Sequence, residues 1–371
     1  MPKLNTKVKG KVKVKVKVKV KGKAQAKARA WAELLRLPAL FTVPGDALAG
    51  AAAAGAARPN ARTLLAIGSS LCLYEAGMAL NDWADHAEDA IERPHRPLPS
   101  GRVRPASALA AAGALTAAGL ALAARAGRPA LTVAVPLAAT VWSYDLTLKR
   151  TPAGPLAMGA ARTLDVLLGA AATTGTTRAA LPSALALGAH TFAVTTVSRH
   201  ETQGGSALAP LAGLATTGVL AWRLTRGHTT GRRTAGPSPS AEASVPGPGL
   251  KPVRRTAGAV GSARLNPTNL SGPTNLPSPT NLSGSTPLPG PASALHTALT
   301  ITYAATTARP LFHATLNPSP PLTQRAVGSG IRALIPLQAA LTARAGATGV
   351  ALLTAALAPA ARSFARKVSV T

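Results

Sequence analysis

Thr63-Leu-Leu-Ala-Ile-Gly-Ser-Ser-Leu-Cys-Leu-Tyr-Glu-Ala-Gly-Met-Ala-Leu80 runs directly into Asn81-Asp82-Trp-Ala-Asp85-His-Ala-Glu-Asp89. The first stretch is apolar and close to the roughly 20 residues that cross about 30 Å of hydrocarbon. The second sets three aspartates at the end of that span. Clustered acids beside hydrocarbon are expensive, so a sequence that keeps them there points to chemistry.

Working outward, segments of the same kind recur with short polar joints. They fall near Leu34–Ala57, Ala106–Ala124, Leu131–Leu148, Leu156–Thr174, Leu181–Ser198 and Ala207–Leu224. After a break they resume at Ala294–Ala314, Ile331–Ala343 and Thr348–Ala361. The last two are short and separated by Arg344: a helical hairpin, two tilted helices, or one span with a re-entrant piece. Only helices satisfy their own backbone groups in hydrocarbon without closing into a barrel. The expected fold is therefore all-α, a polytopic transmembrane bundle of about nine helices.

Composition agrees. Of 371 residues, 47% are hydrophobic and only 14% charged, where a soluble domain carries about a quarter. Mean hydropathy is +0.19. The formal charge of +29 suits a nucleic-acid binder in size but not in distribution. Much of it sits in Lys7–Lys27 and the rest flanks apolar segments, the pattern of a membrane protein. Nucleic acid is therefore not expected as a partner; membrane lipid is. Cys72 is the single cysteine, inside an apolar segment, so neither a disulfide framework nor a thiol-rich metal site is available.

Four regions follow. Residues 1–30 form a basic low-complexity tail in which Lys and Val alternate from Lys11 to Lys21. Alternation is a strand signal, but a lysine at every second position repels itself, so the tail reads as disordered, with anionic lipid heads as a contact. Residues 31–224 form a membrane core of about seven helices. Residues 225–292 are rich in Pro, Gly, Ser and Thr, with a near-repeat at Pro267, Pro273 and Pro279, a composition that cannot pack a core. Residues 293–371 supply the helices that complete the bundle. With a cytoplasmic tail, the polar joints 81–105, 149–155 and 199–206 all share the tail's side, so one cavity at that face can draw on all three.

Asp82, Asp85 and Asp89 stand at i, i+3 and i+7, one face of a helix. Three carboxylates held together call for a cation, and hard oxygen donors suit Mg²⁺, which binds a few carboxylates plus substrate phosphate. An isolated spacing of this kind is usually a solvated helix end paired with nearby arginines. Here Arg93-Pro-His-Arg96-Pro-Leu-Pro-Ser-Gly101 follows at once, and metal plus guanidinium is what a diphosphate needs. Tyr144-Asp145-Leu-Thr-Leu-Lys149-Arg150 and Ser198-Arg199-His200-Glu201 add charge at the same face, and Asp165 lies within an apolar segment.

Asn81-Asp82-x-x-Asp85-x-x-x-Asp89 followed by Arg93-Pro-His-Arg96-Pro-Leu-Pro-Ser-Gly resembles the first signature of the UbiA-type membrane prenyltransferases. Acids, arginines and prolines match in order. Tyr144 with Leu148-Lys149-Arg150 is similar to that family's loop after its fourth helix. The resemblance covers roughly Leu34–Leu224 and more weakly Ala294–Thr371. It implies a UbiA-like bundle, multi-pass in the cell membrane, whose active-site loops face the cytoplasm. It further implies Mg²⁺-dependent transfer of an isoprenyl group from a prenyl diphosphate to a lipophilic or aromatic acceptor. By the same resemblance, Asp82, Asp85 and Asp89 would hold the metal, and Asn81 would join them on the diphosphate. Arg93, Arg96, Lys149 and Arg150 would contact the leaving group, with Lys149 counted among the catalytic residues. Tyr144, Arg199 and Glu201 would complete the substrate site.

The chain departs from the family in one place. A second aspartate-rich motif is expected after the sixth helix, where Ser198-Arg199-His200-Glu201-Thr-Gln-Gly204-Gly205 offers a single acid. Either Glu201 alone serves a reduced second metal site, or Asp165 helps, or the protein has a divergent role. A UbiA-related terpene cyclase and a non-catalytic isoprenoid-binding membrane protein are the competing readings.

Overall fold

A computed structural model of the chain describes residues 25–202, 204–226 and 290–369. The lysine–valine tail up to residue 24 and the proline-rich stretch 227–289, with its near-repeat, lie outside the described residues. Among the described residues there is no strand. Twelve α-helices follow one another: α1 (25–34), α2 (Val43–Ala53), α3 (Ala61–Ala84), α4 (His86–Glu92), α5 (Pro105–Ala126) and α6 (Arg128–Leu146) come first. Then follow α7 (Gly154–Thr174), α8 (Leu181–Ser198), α9 (Leu208–Arg226), α10 (Pro291–Leu316), α11 (Pro320–Arg344) and α12 (Thr348–Ser369). Nine of them have eighteen residues or more. Five, at Ala61–Ala84, Pro105–Ala126, Gly154–Thr174, Arg178–Ser198 and Pro320–Arg344, are both long and apolar enough to cross a membrane. The chain is a membrane protein, all-helical among the described residues, where twelve helices stand against the expected nine because short α1, α2 and α4 add to the long ones.

Sequence chemistry sets the boundaries. Proline stands in the first two positions of α5, α6, α7, α8, α10 and α11, where its missing N–H is not needed. Asn60 caps α3: its Oδ1 accepts from the Thr63 amide at 3.0 Å while Thr63 Oγ1 accepts from the Asn60 amide at 3.0 Å. Prolines 136, 310, 336 and 359 lie inside helices, a placement that packed neighbours make tolerable in membrane bundles.

Two expectations change. Leu34–Ala57 is not one span. Arg36 adopts a left-handed φ of 46°, a 3-10 turn covers Leu37–Thr42, and α2 is only 11 residues long. Pro38 and Pro44 explain the break, since proline disfavours helix in the residue before it and removes a donor. The short segment Ile331–Ala343 is instead part of the 25-residue α11, which turns at Gly346 (φ 84°) into α12 and packs on it as a helical hairpin. Arg325, Gly328, Ser329 and Arg332 hide its first half from a reading of apolar runs.

Between lipid-facing helices no hydrophobic effect drives association, so close packing of small residues must do it. The core is accordingly rich in alanine, and α11 is its most enclosed helix, with Ala333–Ala343 buried throughout. At the α2–α7 crossing, a Cβ on Gly50 would strike the Val166 carbonyl, and one on Gly169 would strike the Ala47 backbone. These two glycines let the backbones touch, and that contact brings Asp46 of α2 to Arg162 of α7. Elsewhere α3 packs most closely on α5, α7 on α8 and α10 on α11. Because successive long helices alternate direction, the ends of α3, α6 and α8 and the starts of α5 and α7 gather at one face.

Candidate active site

α3 ends at Ala84. Asp85 (φ −95°, ψ 4°) breaks it, and α4 carries the chain only to Glu92 before Pro94 forbids further helix. The three aspartates therefore do not share one continuous helical face. Asp82 lies in α3, Asp85 in the break, Asp89 in α4. The proline-stiffened segment after α4 then folds back over them. Arg96 Nη1 lies 2.6 Å from Asp89 Oδ2 and 3.8 Å from Asp82 Oδ1. Arg93 reaches Asp89 at 3.4 Å, and Arg36, from the turn before α2, reaches Asp82 at 3.2 Å. Arg102 fastens this loop to α1: its guanidinium donates to both Glu33 oxygens at 2.6 and 3.1 Å and to the His95 carbonyl at 2.5 Å. The paired carboxylate raises the Arg102 pKa above its usual value.

Asp85 turns the other way, toward the joint after α6. Lys149 Nζ lies 2.6 Å and Arg150 Nη2 3.2 Å from its Oδ1, and Arg150 also meets Glu88 at 2.7 Å. One turn away, Asn81 Nδ2 donates to Asp145 Oδ1 at 3.2 Å, linking the ends of α3 and α6. Arg199, after α8, donates to the Thr151 carbonyl and so pins the third joint to the second. Asp82 and Asp89 are almost wholly buried, 5% and 3% exposed, and both face arginine side chains. Asp85 is half-buried and faces open space.

That space is a cavity of about 570 Å³. Asn81, Asp85, Arg93, Arg96, Tyr144, Asp145 and Glu201 line its charged end, together with Arg36. Its walls are Leu73, Met78, Leu137, Val141, Met158 and Ala161, and its inner end is polar again, with Ser70, Arg162, Asp165 and Thr191. Arg162 is paired with Asp46, whose other oxygen accepts from Gln338 Nε2 at 2.8 Å. Ser70 donates to Asp165. Glu201 is the acid of the third joint, and burial pushes its carboxyl above the ordinary range.

Of the residues singled out from sequence, Asn81, Asp85, Arg93, Arg96, Tyr144 and Glu201 thus border one cavity. Lys149, Arg150 and Arg199 stand behind them, holding Asp85 or the joint backbone. Asp82 and Asp89 are one layer back, under Arg96. Sequence reasoning passes over Arg36, Asp145 and the Asp46–Arg162 pair. Asp145 stands beside Tyr144, where the nearby Lys149-Arg150 is the stronger signal. Asp46 and Arg162 each sit in an apolar segment, the same signal that picks out Asp165.

The donor set suits a hard cation. Asp85, Asp145, Asn81 and Glu201 present oxygen alone, with no sulfur or imidazole at the cavity's charged end. Among the described residues no three His, Cys, Asp or Glu side chains are gathered closely enough to enclose a metal by themselves. A Mg²⁺ ion there needs only one or two carboxylates if phosphate oxygens supply the rest. The chemistry available is therefore recognition of a metal-bound phosphate ester whose apolar part lies along the walls.

Comparisons with known proteins agree with this architecture. The UbiA prenyltransferase family model matches residues 45–225. A digeranylgeranylglyceryl phosphate synthase of Methanopyrus kandleri is 36% identical over 128 residues, which is 33% of this chain and 45% of that protein. The chain thus spans less than half the length of this curated relative. Two solved structures share the fold. One, from a study of digeranylgeranylglyceryl phosphate synthase in membranes, has a TM-score of 0.54 at 14% identity, over 86% of this chain and 98% of the other. The second, an apo UbiA homolog from Aeropyrum pernix K1, has a TM-score of 0.53 at 17% identity, over 81% and 96%.

Proposed function

We propose that the protein, whose residues 45–225 match the UbiA prenyltransferase family model, is a Mg²⁺-dependent membrane prenyltransferase. It takes an isoprenyl group from a prenyl diphosphate and passes it to a lipophilic or aromatic acceptor. The observation that carries this reading is the cavity itself, oxygen donors and arginines at one end and apolar walls behind. A prenyl diphosphate has the same two-part chemistry.

Asp85, Asn81 and Asp145, with Glu201 opposite, are the residues that would hold Mg²⁺. When bound, the ion supplies Lewis-acid stabilisation of the diphosphate as it departs. Arg93 and Arg96 border the same end and present planar guanidinium groups that match phosphate oxygens two at a time. Asp82 and Asp89 aim those arginines, and would join the metal's ligands by exchanging them. Lys149, from behind Asp85, fixes the orientation of that carboxylate. Preorganised charge of this kind stabilises the leaving group without reorganisation during the reaction. The allylic C–O bond then breaks, the acceptor's nucleophile bonds to the allylic carbon and its proton leaves to solvent. The third joint offers the single acid Glu201 at the same cavity, in keeping with a reduced metal site there. Multi-pass insertion in the cell membrane, with these joints on the cytoplasmic side, goes with this reading, and the alternating helix ends support one shared face for the three joints.

Purified protein tests it directly, given prenyl diphosphates from dimethylallyl to geranylgeranyl and a panel of acceptors with and without Mg²⁺. The curated relative is named for digeranylgeranylglyceryl phosphate, so a geranylgeranylated glyceryl phosphate heads the panel. Prenylated acceptor formed only with the metal is the expected outcome. Binding without turnover across the panel would favour a non-catalytic isoprenoid binder, and cyclised hydrocarbon formed without acceptor would favour a cyclase.

A further inference from the structure

On the face opposite the candidate active site, α8, α9 and α11 leave a groove of about 1150 Å³ between them. Its length is apolar: Leu181, Leu185, Val219 and Trp222 are between 43% and 55% exposed along it. Its rim at the helix ends is cationic. Arg223 and Arg226 occupy the last turn of α9, and Arg344 the last turn of α11. They converge: Arg344 Nη1 donates to the Arg223 carbonyl at 3.4 Å, and the Arg226 guanidinium lies 4.2 Å above the Trp222 ring. No Asp or Glu lines the groove.

The imbalance extends across this face. The joints 125–128 and 175–180 carry Arg125, Arg128 and Arg178, and none of the acids among the described residues lies at this end of any helix. Each helix C-terminus contributes about half a negative charge. The ends of α9 and α11 therefore offset part of the charge of Arg223 and Arg344.

We propose that this groove is a binding site for an anionic membrane phospholipid, its phosphate on Arg223 and Arg344 and an acyl chain along Leu185 and Val219. A tryptophan at the boundary of an apolar groove and a basic rim is the arrangement expected at headgroup depth. Basic pockets between membrane helices select acidic headgroups by this means. The site lies on the other face from the prenyl diphosphate cavity and stands whether or not the proposed transfer reaction does.

Native mass spectrometry of the full-length protein, delipidated in detergent, tests the assignment. Phosphatidylglycerol and phosphatidylcholine with identical acyl chains are offered in competition, with inorganic phosphate as a separate arm. Phosphatidylglycerol should be retained about tenfold more strongly, in keeping with the contribution of each basic residue near an anionic headgroup. The doubly substituted R223Q/R344Q protein should lose that preference, while R125Q/R128Q, on the same face but outside the groove, should keep it. Inorganic phosphate should not displace the lipid. A photocrosslinker at Leu185 should mark lipid. Equal retention of the two lipids, a preference untouched by R223Q/R344Q, displacement by phosphate, or crosslinks to residues 227–289 or a second copy would each overturn it.

Discussion

Asp85 and its neighbours Asp82 and Asp89 share a motif but not their surroundings. Asp85 faces the cavity, whereas Asp82 and Asp89 are buried beneath Arg96. Replacement should separate the two roles. Asp85→Asn should lower turnover by about 10²-fold or more, the usual loss when a group stabilising transition-state charge is removed, while its amide oxygen still accepts from Lys149, so its melting temperature should fall less than that of Arg96→Ala. Arg96→Ala should lower both, because it leaves two buried carboxylates short of a partner. A loss of about 1–3 kcal/mol is expected from that desolvation, read by thermal unfolding in detergent. If Arg96→Ala melts like the parent, the carboxylates find water and the anchoring role fails. The Asp46–Arg162 pair makes a third case. Breaking one partner of a buried pair costs about 3–5 kcal/mol, while removing both costs less. Asp46→Asn with Arg162→Met should thus be milder together than the sum of the singles. Additive losses would mean the two charges do not depend on each other.

Elements explain why some of the site is legible in the sequence and some is not. The acid–arginine–proline order from Asn81 to Gly101 is contiguous, so its chemistry can be read from the chain alone. Asp46 and Arg162 are far apart along the chain and meet only because Gly50 and Gly169 let α2 and α7 touch. No local pattern announces such a pair, although the rule that an ionisable residue in an apolar span is functional applies to both. Asp145 and Arg36 join the site only through folding, which brings together the ends of α3 and α6 and the turn before α2. Hydrophobic runs locate the long helices but misjudge two ends: prolines 38 and 44 divide the first, and polar residues inside α11 conceal half of it. The α2–α7 contact makes its own prediction. Gly169→Val should cost about 1–3 kcal/mol through overpacking and reduce prenyl transfer, because it displaces the helix that carries Arg162 and Asp165. A variant as stable and active as the parent would show that the crossing is looser than the backbone contact implies.

At the scale of the whole molecule, alternating helices assign each joint to one of two faces. Single cysteines at Ser100, Thr151 and Thr202, in a Cys72→Ser background, should label together with a membrane-impermeant thiol reagent added from the cytoplasmic side. A cysteine at Thr176 should label only from the other side. Mixed labelling among the first three would break the shared-face arrangement on which a single site at three joints depends. The central claim is that this face binds a prenyl diphosphate through a metal held at Asp85, and one measurement tests it most directly. Geranylgeranyl diphosphate binding to the purified protein is followed with and without Mg²⁺, beside Asp85→Asn. Binding should require the metal and weaken about tenfold or more in the variant, a loss of about 1.4 kcal/mol or more. Equal binding with and without Mg²⁺, or in both proteins, would contradict it.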